Sequence, residues 1–600
     1  MRVGDRFMKA AVGERTMNKT MLSRATSNPH APAFASAAVA VMAISWMISG
    51  YQRVSQAYDE PAHIACGMEW LEKGTFTLEP MHPPLPRVAS AIGPYLAGLR
   101  LSTIKMNRGP HGDSADIFGA GNDILNSNGR AQHNLILARL GQIPFFCIAA
   151  CLIFVWARDL FGPWPAFAAI FMFSMLPGVL AFAALAYVDF SLAVFLPLTL
   201  YTFVQFLNQP SARYAIFVGV SAGLAVLSNF TVLLFIPLCM LGISACWWWF
   251  GYRLSPFRPA LRKYLASTAA ALAVSAIVIW GGYRFSIEPL QKVFANPAQD
   301  VAKVSKAPGF AKRVVLGIAH LNLPLPAPAL WKGLVNAWGE NKYPTTSYLM
   351  GRFRKGGVWY FYPVVLGVKT PLAFLLLAGV GVVVVLRNRS RDWRSMAPAV
   401  SVIAIVLAGS GMALNLGLRH ILFIYIPLTI CAAGAVSFLF QKRTDWARFL
   451  PVLAVCLIGW QSISTVAHYP DYIGYFNELA GNHPDRYLLF GCDLDCGQDI
   501  GKLPAVLKEG NIQHLNERLW TSQDLSRLDL PAFSVLPPYQ PSDGWIAISL
   551  LHLRSGDAIW NGKNADGYAW LNKYQPVARV GRTIDIYHLP KGATSSPGSR

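Results

Sequence analysis

The sequence predicts a polytopic α-helical membrane protein of about eleven transmembrane helices, N-terminus inside and C-terminus outside. A small extracytoplasmic α/β domain is expected at its C-terminal end. Three observations predict this class. Hydrophobic residues make up 54% and charged residues only 14% of 600 positions, where soluble chains carry about 25% charged. The apolar residues gather in runs near the ~20 residues that a helix needs to cross a bilayer. The formal net charge of +21 lies mostly between those runs, where basic residues mark cytoplasmic loops. Such a composition excludes a soluble globular enzyme and a disordered chain. It also turns the basic balance toward a membrane and away from nucleic acid.

In chain order, a basic tail (1–32) lacks the apolar core of a cleaved signal peptide. Spans follow near 33–50, 132–157, 163–184, 187–207, 214–229, 231–250, 264–282, 361–386, 396–414, 419–440 and 447–466. With the tail inside, the inward loops hold Arg158; Arg213; Arg253, Arg258, Arg262 and Lys263; Arg387, Arg389, Arg391 and Arg394; and Lys442, Arg443 and Arg448. The short outer turns hold almost no basic residue, which is the positive-inside bias. A membrane domain (33–466) thus carries a first outer loop (51–131) and a middle outer loop (283–360), followed by the C-terminal domain (467–600). There YLLFG, WIAIS and TIDIYHL read as strands, the stretch after Gly497 as a helix, and the Gly/Ser-rich end as disordered. No internal repeat is visible.

Six of nine cysteines fall in apolar runs, and Cys66 reads as structural. Cys492 and Cys496 have no further ligand at zinc spacing; an oxidising compartment would allow them to bridge. Asp493, Asp495 and Asp499 lack a calcium-loop pattern and read as a solvated acidic turn. No metal site is assigned, and a divalent metal stays open as a cofactor.

The first loop concentrates chemistry-bearing residues: YDEPAH from Tyr58, then HPPLPR from His82. Pro61 and Pro83-Pro84 can open helices, with Asp59 or Glu60 as cap. A cap is the plain reading of Asp59, set against the company of His82 and Arg87 in a charge-poor chain. The second of these helices is amphipathic and could lie in the membrane plane. Basic residues also mark outer span boundaries, at Arg139, Lys369 and Arg419-His420, and an acidic residue, Asp189, marks an outer turn. Snorkelling to headgroups competes with function at Arg87 and Arg139, less so at Lys369, which has apolar neighbours on both sides. Trp359 to Tyr362 read as an interfacial aromatic belt.

YDEPAH with HPPLPR resembles the GT-C type glycosyltransferases that use polyprenyl-phosphate sugars, the family of protein O-mannosyltransferases and the lipid A aminoarabinose transferase. RFRKGGVWYFYPVVLGVKTPL, RHILFIYIP from Arg419, HYPDYIGYFNELAG and CDLDCGQDIGKL agree in order. Where a bacterial subgroup has Asp-Trp-Gly-Gln-Asp, this chain has Asp495-Cys496-Gly497-Gln498-Asp499. The resemblance implies an inverting transferase that moves a sugar from a polyprenyl-phosphate donor to a hydroxyl acceptor at the extracytoplasmic face of a bacterial plasma membrane, with membrane lipid as its other partner and no nucleic acid. It implies Asp59 as general base, tuned or aided by Glu60. Candidates for the donor phosphate are Lys369, Arg419, His420, Arg139 and Arg87. Candidates for acceptor or sugar positioning are His82, Asp189 and Glu340, with a helix cap or a solvated loop as the plain reading of His82 and Glu340. A lipid-carrier glycan ligase or polymerase, and a secondary transporter, are the alternatives. A transporter would place its ionisable residues near the bilayer midplane.

Overall fold

A computed structural model describes residues 30–107, 114–252, 261–293, 322–340, 346–387, 392–441, 449–489, 491–556 and 566–590. The N-terminal tail up to residue 29, the glycine-rich end, Asn341 and the loop residues Arg253, Arg258, Arg389, Arg391, Lys442, Arg443 and Arg448 lie outside the described residues.

Among the described residues, seven helices are long and apolar enough to cross a bilayer. An eighth candidate is the pair Pro163–Ser174 and Pro177–Ala183, bent by 68°. The shorter apolar helices Ala212–Val226, Leu372–Arg387 and Leu450–Val466 fall where the remaining expected segments lie. The helices sort by burial. Leu418–Leu439 and Asp189–Asn208 are 89% and 78% buried inside the protein, whereas Arg262–Gly282 is only 6% buried. The last has apolar side chains such as Leu272 and Ile277 turned outward, as a helix facing lipid must.

The expected span 361–386 breaks in two. Pro371 cannot continue a helix without losing a backbone bond, so Phe361–Lys369 ends there and Leu372–Arg387 begins a new helix. Lys369 therefore closes a helix and is not embedded in one. The aromatic group before it also divides: Trp359 is 71% exposed, while Phe361 and Tyr362 are buried in the core.

The first loop folds into three packed helices, Glu60–Lys73, Pro84–Leu96 and Ile117–Asn126. Gly67 lets the first two touch, since a Cβ there would strike the Arg87 backbone. The middle loop contributes one short hairpin (Thr346–Leu349 with Arg352–Lys355), a two-stranded antiparallel pair (Ile287–Pro289 with Pro324–Pro326) and the helix Pro328–Glu340.

The C-terminal domain carries a five-stranded mixed sheet in the order Ala578–Val580, Ile584–Leu589, Gly544–Ser549, His514–Arg518, Ala532–Val535. The first three strands pair antiparallel and the last two join in parallel. Alternation along the strands sends Ile584, Ile586 and Ala547 toward the helix Leu503–Glu509, and Tyr587, Ile546 and Ile548 toward a second core. Two of the three expected strands form. The third, YLLFG, does not: Tyr487 follows a 3-10 turn opened by Pro484, and Leu488 and Leu489 serve as buried packing without a strand partner.

Candidate active site

Asp59 sits at the N-cap position of helix Glu60–Lys73, yet its side chain makes no capping hydrogen bond. The carboxylate instead meets Arg419, with Nη1 at 2.8 Å from Oδ2. Arg419 lies in the turn of 3-10 helix that leads into Tyr425–Leu439. Asp189, at the start of helix Asp189–Asn208, is the second acid, with Oδ2 3.9 Å from the same Nη1. Segments 130 and 360 residues from Asp59 thus converge on one guanidinium, each from a helix end. The group is partly open: the side chains of Asp59, Arg419 and Asp189 are 28%, 16% and 5% exposed. It is also incompletely bonded, because Arg419 Nε and Asp189 Oδ2 are buried without a hydrogen-bond partner.

Glu60 points the other way, and the structure corrects its expected role beside Asp59. It is fully buried and accepts from Ala57 N at 2.7 Å, Ala186 N at 3.0 Å, and Arg139 Nε and Nη2, both at 2.8 Å. Arg139 spends its remaining donors on the carbonyls of Tyr51, Val54 and Ser55. With every oxygen and guanidinium nitrogen occupied, neither residue is placed to receive a phosphate or an acceptor. A closed pair of this kind ties the exit of the first span to the second span.

Lys369 is likewise withdrawn from the expected phosphate contact. It is 3% exposed, donates to the carbonyl oxygens of Ile473 and Asp493, and stands 4.2 Å over the Phe476 ring. Arg87 is 1% exposed and gives Nε to His63 Nδ1 at 3.1 Å, Nη1 to the Glu79 carbonyl at 2.8 Å, and Nη2 to the Glu79 carboxylate. His82 Nδ1 lies 2.9 Å from the same carboxylate. Burial alone would raise the Glu79 carboxyl, but Arg87 and His82 prevail and hold it well below the usual carboxylate range. Burial, then the Arg87 charge, push the His63 imidazole far down, so it is neutral and accepts from Arg87. Glu79 was not singled out in the sequence, although its place three residues before His82 on a turn was a usable signal. This first-loop cluster borders the Asp59 group through His63, whose ring is 5.6 Å from Tyr187 and 5.8 Å from His82; Arg419 stacks 5.6 Å over that Tyr187 ring. His420 is half-buried beside Arg419. Glu340 closes helix Pro328–Glu340, and its side chain lies outside the described residues.

Tyr58 stacks on Trp520 with ring centroids 4.4 Å apart and meets Phe118 edge-on at 5.4 Å. Beyond Phe118 a cavity of about 360 Å³ opens between the first loop and the C-terminal domain, lined by Lys105, Asp116, Asn122, Asp123, Ser522 and Arg527 among others. The acidic residues of the C-terminal motif form no solvated turn. Asp493, Asp495 and Asp499 are all at most 1% exposed, and Cys492 and Cys496 are joined in a disulfide. Burial pushes the carboxyls of both Asp493 and Asp495 up, that of Asp495 to about 8. Among the described residues no group of three or more His, Cys, Asp or Glu side chains is placed to hold a metal ion.

Residues 131–280 match the dolichyl-phosphate-mannose-protein mannosyltransferase family. That match bears out the glycosyltransferase resemblance over the stretch that contains Arg139 and Asp189. Among solved structures, the chain is similar to ArnT from Cupriavidus metallidurans bound to undecaprenyl phosphate, at 14% identity and TM-score 0.43 over 92% of this chain and 97% of that one. It is also similar to the Pmt1–Pmt2 protein O-mannosyltransferase complex of S. cerevisiae bound to the sugar donor, at 16% identity and TM-score 0.30 over 42% and 32%. Mycobacterial arabinofuranosyltransferase AftD gives 12% identity and TM-score 0.39 over 94% and 40%. A comparison with curated protein sequences finds no match.

Proposed function

We propose that the protein transfers a sugar from a polyprenyl-phosphate carrier to a hydroxyl acceptor at the extracytoplasmic face of a bacterial plasma membrane, with inversion at the anomeric carbon. The observation that carries this reading is the Asp59 carboxylate. It sits at a helix start just past the first span, free of capping duty and paired to an incompletely bonded arginine. Asp59 takes the proton of the acceptor hydroxyl as that oxygen bonds to the anomeric carbon. The bond from that carbon to the phosphate oxygen breaks, and the charge developing on the lipid phosphate falls to Arg419, with His420 beside it. Arg419 can serve both partners: a phosphate drawn to its guanidinium competes with Asp59 for it and leaves that carboxylate more basic. Asp189 keeps the arginine in place. The acceptor approaches along the cavity beside Phe118, whose polar wall suits a hydroxyl-bearing molecule.

Two features support the outer face. The disulfide belongs to an oxidising compartment. Arg158 and Arg387 lie in the last turns of helices that begin just after Arg139 and Lys369, at the opposite ends from those residues. The charged groups cluster at helix ends and not mid-helix, which speaks against a secondary transporter. No cofactor enters the reading. Membranes carrying the protein, incubated with a panel of radiolabelled polyprenyl-phosphate sugars, test it: one donor should label an endogenous acceptor in the wild type and fail to do so in Asp59→Asn. Equal labelling in both would overturn it.

A further inference from the structure

The CDLDCGQD segment belongs to the C-terminal domain by sequence, yet its bonds reach into the membrane domain on both sides of the site. On one side the Cys496 carbonyl accepts from Tyr58 N at 2.9 Å, and the Gln498 carbonyl accepts from Ser55 N at 3.1 Å. On the other, Asp493 Oδ1 accepts from Leu418 N at 3.0 Å, one residue before Arg419. The Asp493 carbonyl receives Lys369 Nζ. Between the two sides stands Tyr187, whose hydroxyl accepts from Asp59 N at 3.0 Å and lies 3.1 Å from Cys496 Sγ and 3.4 Å from Cys492 Sγ.

The fit leaves no slack. Gly417 and Gly491 adopt φ of +92° and +72°, which an L side chain rarely tolerates. A Cβ on Gly417 would meet the Asp493 carboxylate, and one on Gly491 the Leu416 carbonyl. Asp493 is 1% exposed and carries a second oxygen with no partner, a costly arrangement for a residue whose work was merely local.

We propose that loop 492–498, closed over 492–496 by its disulfide, is the positioning element of the site: it holds the Asp59 backbone through Cys496 and Tyr187, and the Arg419 turn through Asp493, and so sets the distance between base and guanidinium. Asp493 and Tyr187 are positioning residues, and Lys369 is the anchor of the loop. This rests on the reading that Asp59 and Arg419 carry the transfer. A displacement of about 1 Å at reacting groups costs about 10²-fold in rate, so the loop acts on kcat.

The test compares Asp493→Leu, Asp493→Asn and Tyr187→Phe with the wild type and with Asp59→Asn, measuring transfer rate, KM for a polyprenyl-phosphate sugar and thermal unfolding in detergent. Asp493→Leu removes the acceptor for Leu418 N. It should lower kcat by about 10–100-fold with little change in KM. Asp493→Asn keeps an oxygen at that place and should restore kcat to within about threefold. Tyr187→Phe should lower kcat by several-fold. Where Asp493→Leu does not accumulate folded, reduction of wild-type protein by a thiol replaces it: kcat should fall and return on reoxidation. An inactive Asp59→Asn alongside wild-type kcat in Tyr187→Phe, and in Asp493→Leu or the thiol-reduced protein that replaces it, overturns the positioning role and leaves the reading of the site intact. An Asn variant as slow as the Leu variant also overturns it, because the hydrogen bond would then not be what matters. An active Asp59→Asn refutes the underlying reading instead.

Discussion

Asp59 and Glu60 are neighbours in sequence, and each faces an arginine, but the two pairs are opposite in kind. Glu60 and Arg139 form a closed network in which both carboxylate oxygens and the whole guanidinium are bonded inside the protein. Asp59 and Arg419 form an incomplete one, partly reached by solvent, with the buried Arg419 Nε and the nearby Asp189 Oδ2 unpartnered. Closed networks hold a fold together, since breaking them strands a buried charge. Open ones retain bonding capacity for a ligand. One turn of chain around Pro61 directs the first acid outward and the second inward, so a motif that reads as a pair of carboxylates holds one partly exposed acid, the base of the proposed reaction, beside a fully buried one.

The largest expected effect breaks the comparison on its open side. Asp59→Asn keeps size and hydrogen bonding but cannot accept the acceptor's proton. Transfer should fall by about 10²–10⁴ while thermal unfolding and donor binding stay near wild type. A variant that unfolds in step with its loss of activity would place Asp59 with Glu60 as a structural acid. Arg419→Gln should follow at about 10²–10³ in rate, and it should also weaken binding of a polyprenyl phosphate, read by competition. Unchanged donor affinity would move the phosphate to His420 or His82.

On the closed side the sign of the experiment reverses. Glu60→Gln leaves Arg139 buried without its counter-charge, a change that costs about 3–5 kcal/mol in comparable pairs. The expected outcome is a lower unfolding temperature and poor accumulation, with near-normal kcat for the protein that does fold. A stable Glu60→Gln without activity would return Glu60 to the chemistry.

The contrast also explains what the sequence could and could not convey. Span positions were legible because apolar length is a local property, but the span expected over 361–386 breaks at Pro371, where the apolar run outweighed the residue type in the reading. Asp59, Asp189 and Arg419 stood out as charges at helix ends in an apolar chain, and the structure brings them together. What stayed hidden was pairing across distance. Nothing local says that Glu60 meets Arg139 or that Lys369 is spent on the carbonyls of a domain more than a hundred residues later. The acidic 493–499 stretch read as solvated because its partners are distant in sequence: Leu418 of the membrane domain for Asp493, and Arg582 and Thr583 for Asp499. Tyr187 was not singled out in the sequence, although its hydroxyl touches both Asp59 and the disulfide.

The smallest effect sharpens the comparison with a third network, Glu79 with Arg87 and His82, which shares the wall of His63 and Tyr187 with the open group. Arg87 is fully bonded and buried like Arg139, while His82 is about a third exposed like Asp59. If it belongs with the closed networks, Glu79→Gln should cost about 1–3 kcal/mol of stability at pH 7 and little kcat. The pH dependence gives the sign. The Glu79 carboxyl is depressed in the folded state against about 4.3 in an unfolded chain. Its stabilisation is therefore fully present above that unfolded value and lost as pH falls toward the depressed folded value. Unfolding temperatures of wild type and Glu79→Gln in detergent should differ at pH 7 and converge progressively below about pH 4. A gap that persists unchanged into acid would mean that Glu79 acts through packing and not through its charge. A loss of kcat without loss of stability would move the Glu79 cluster to the open side, with His82 in the site.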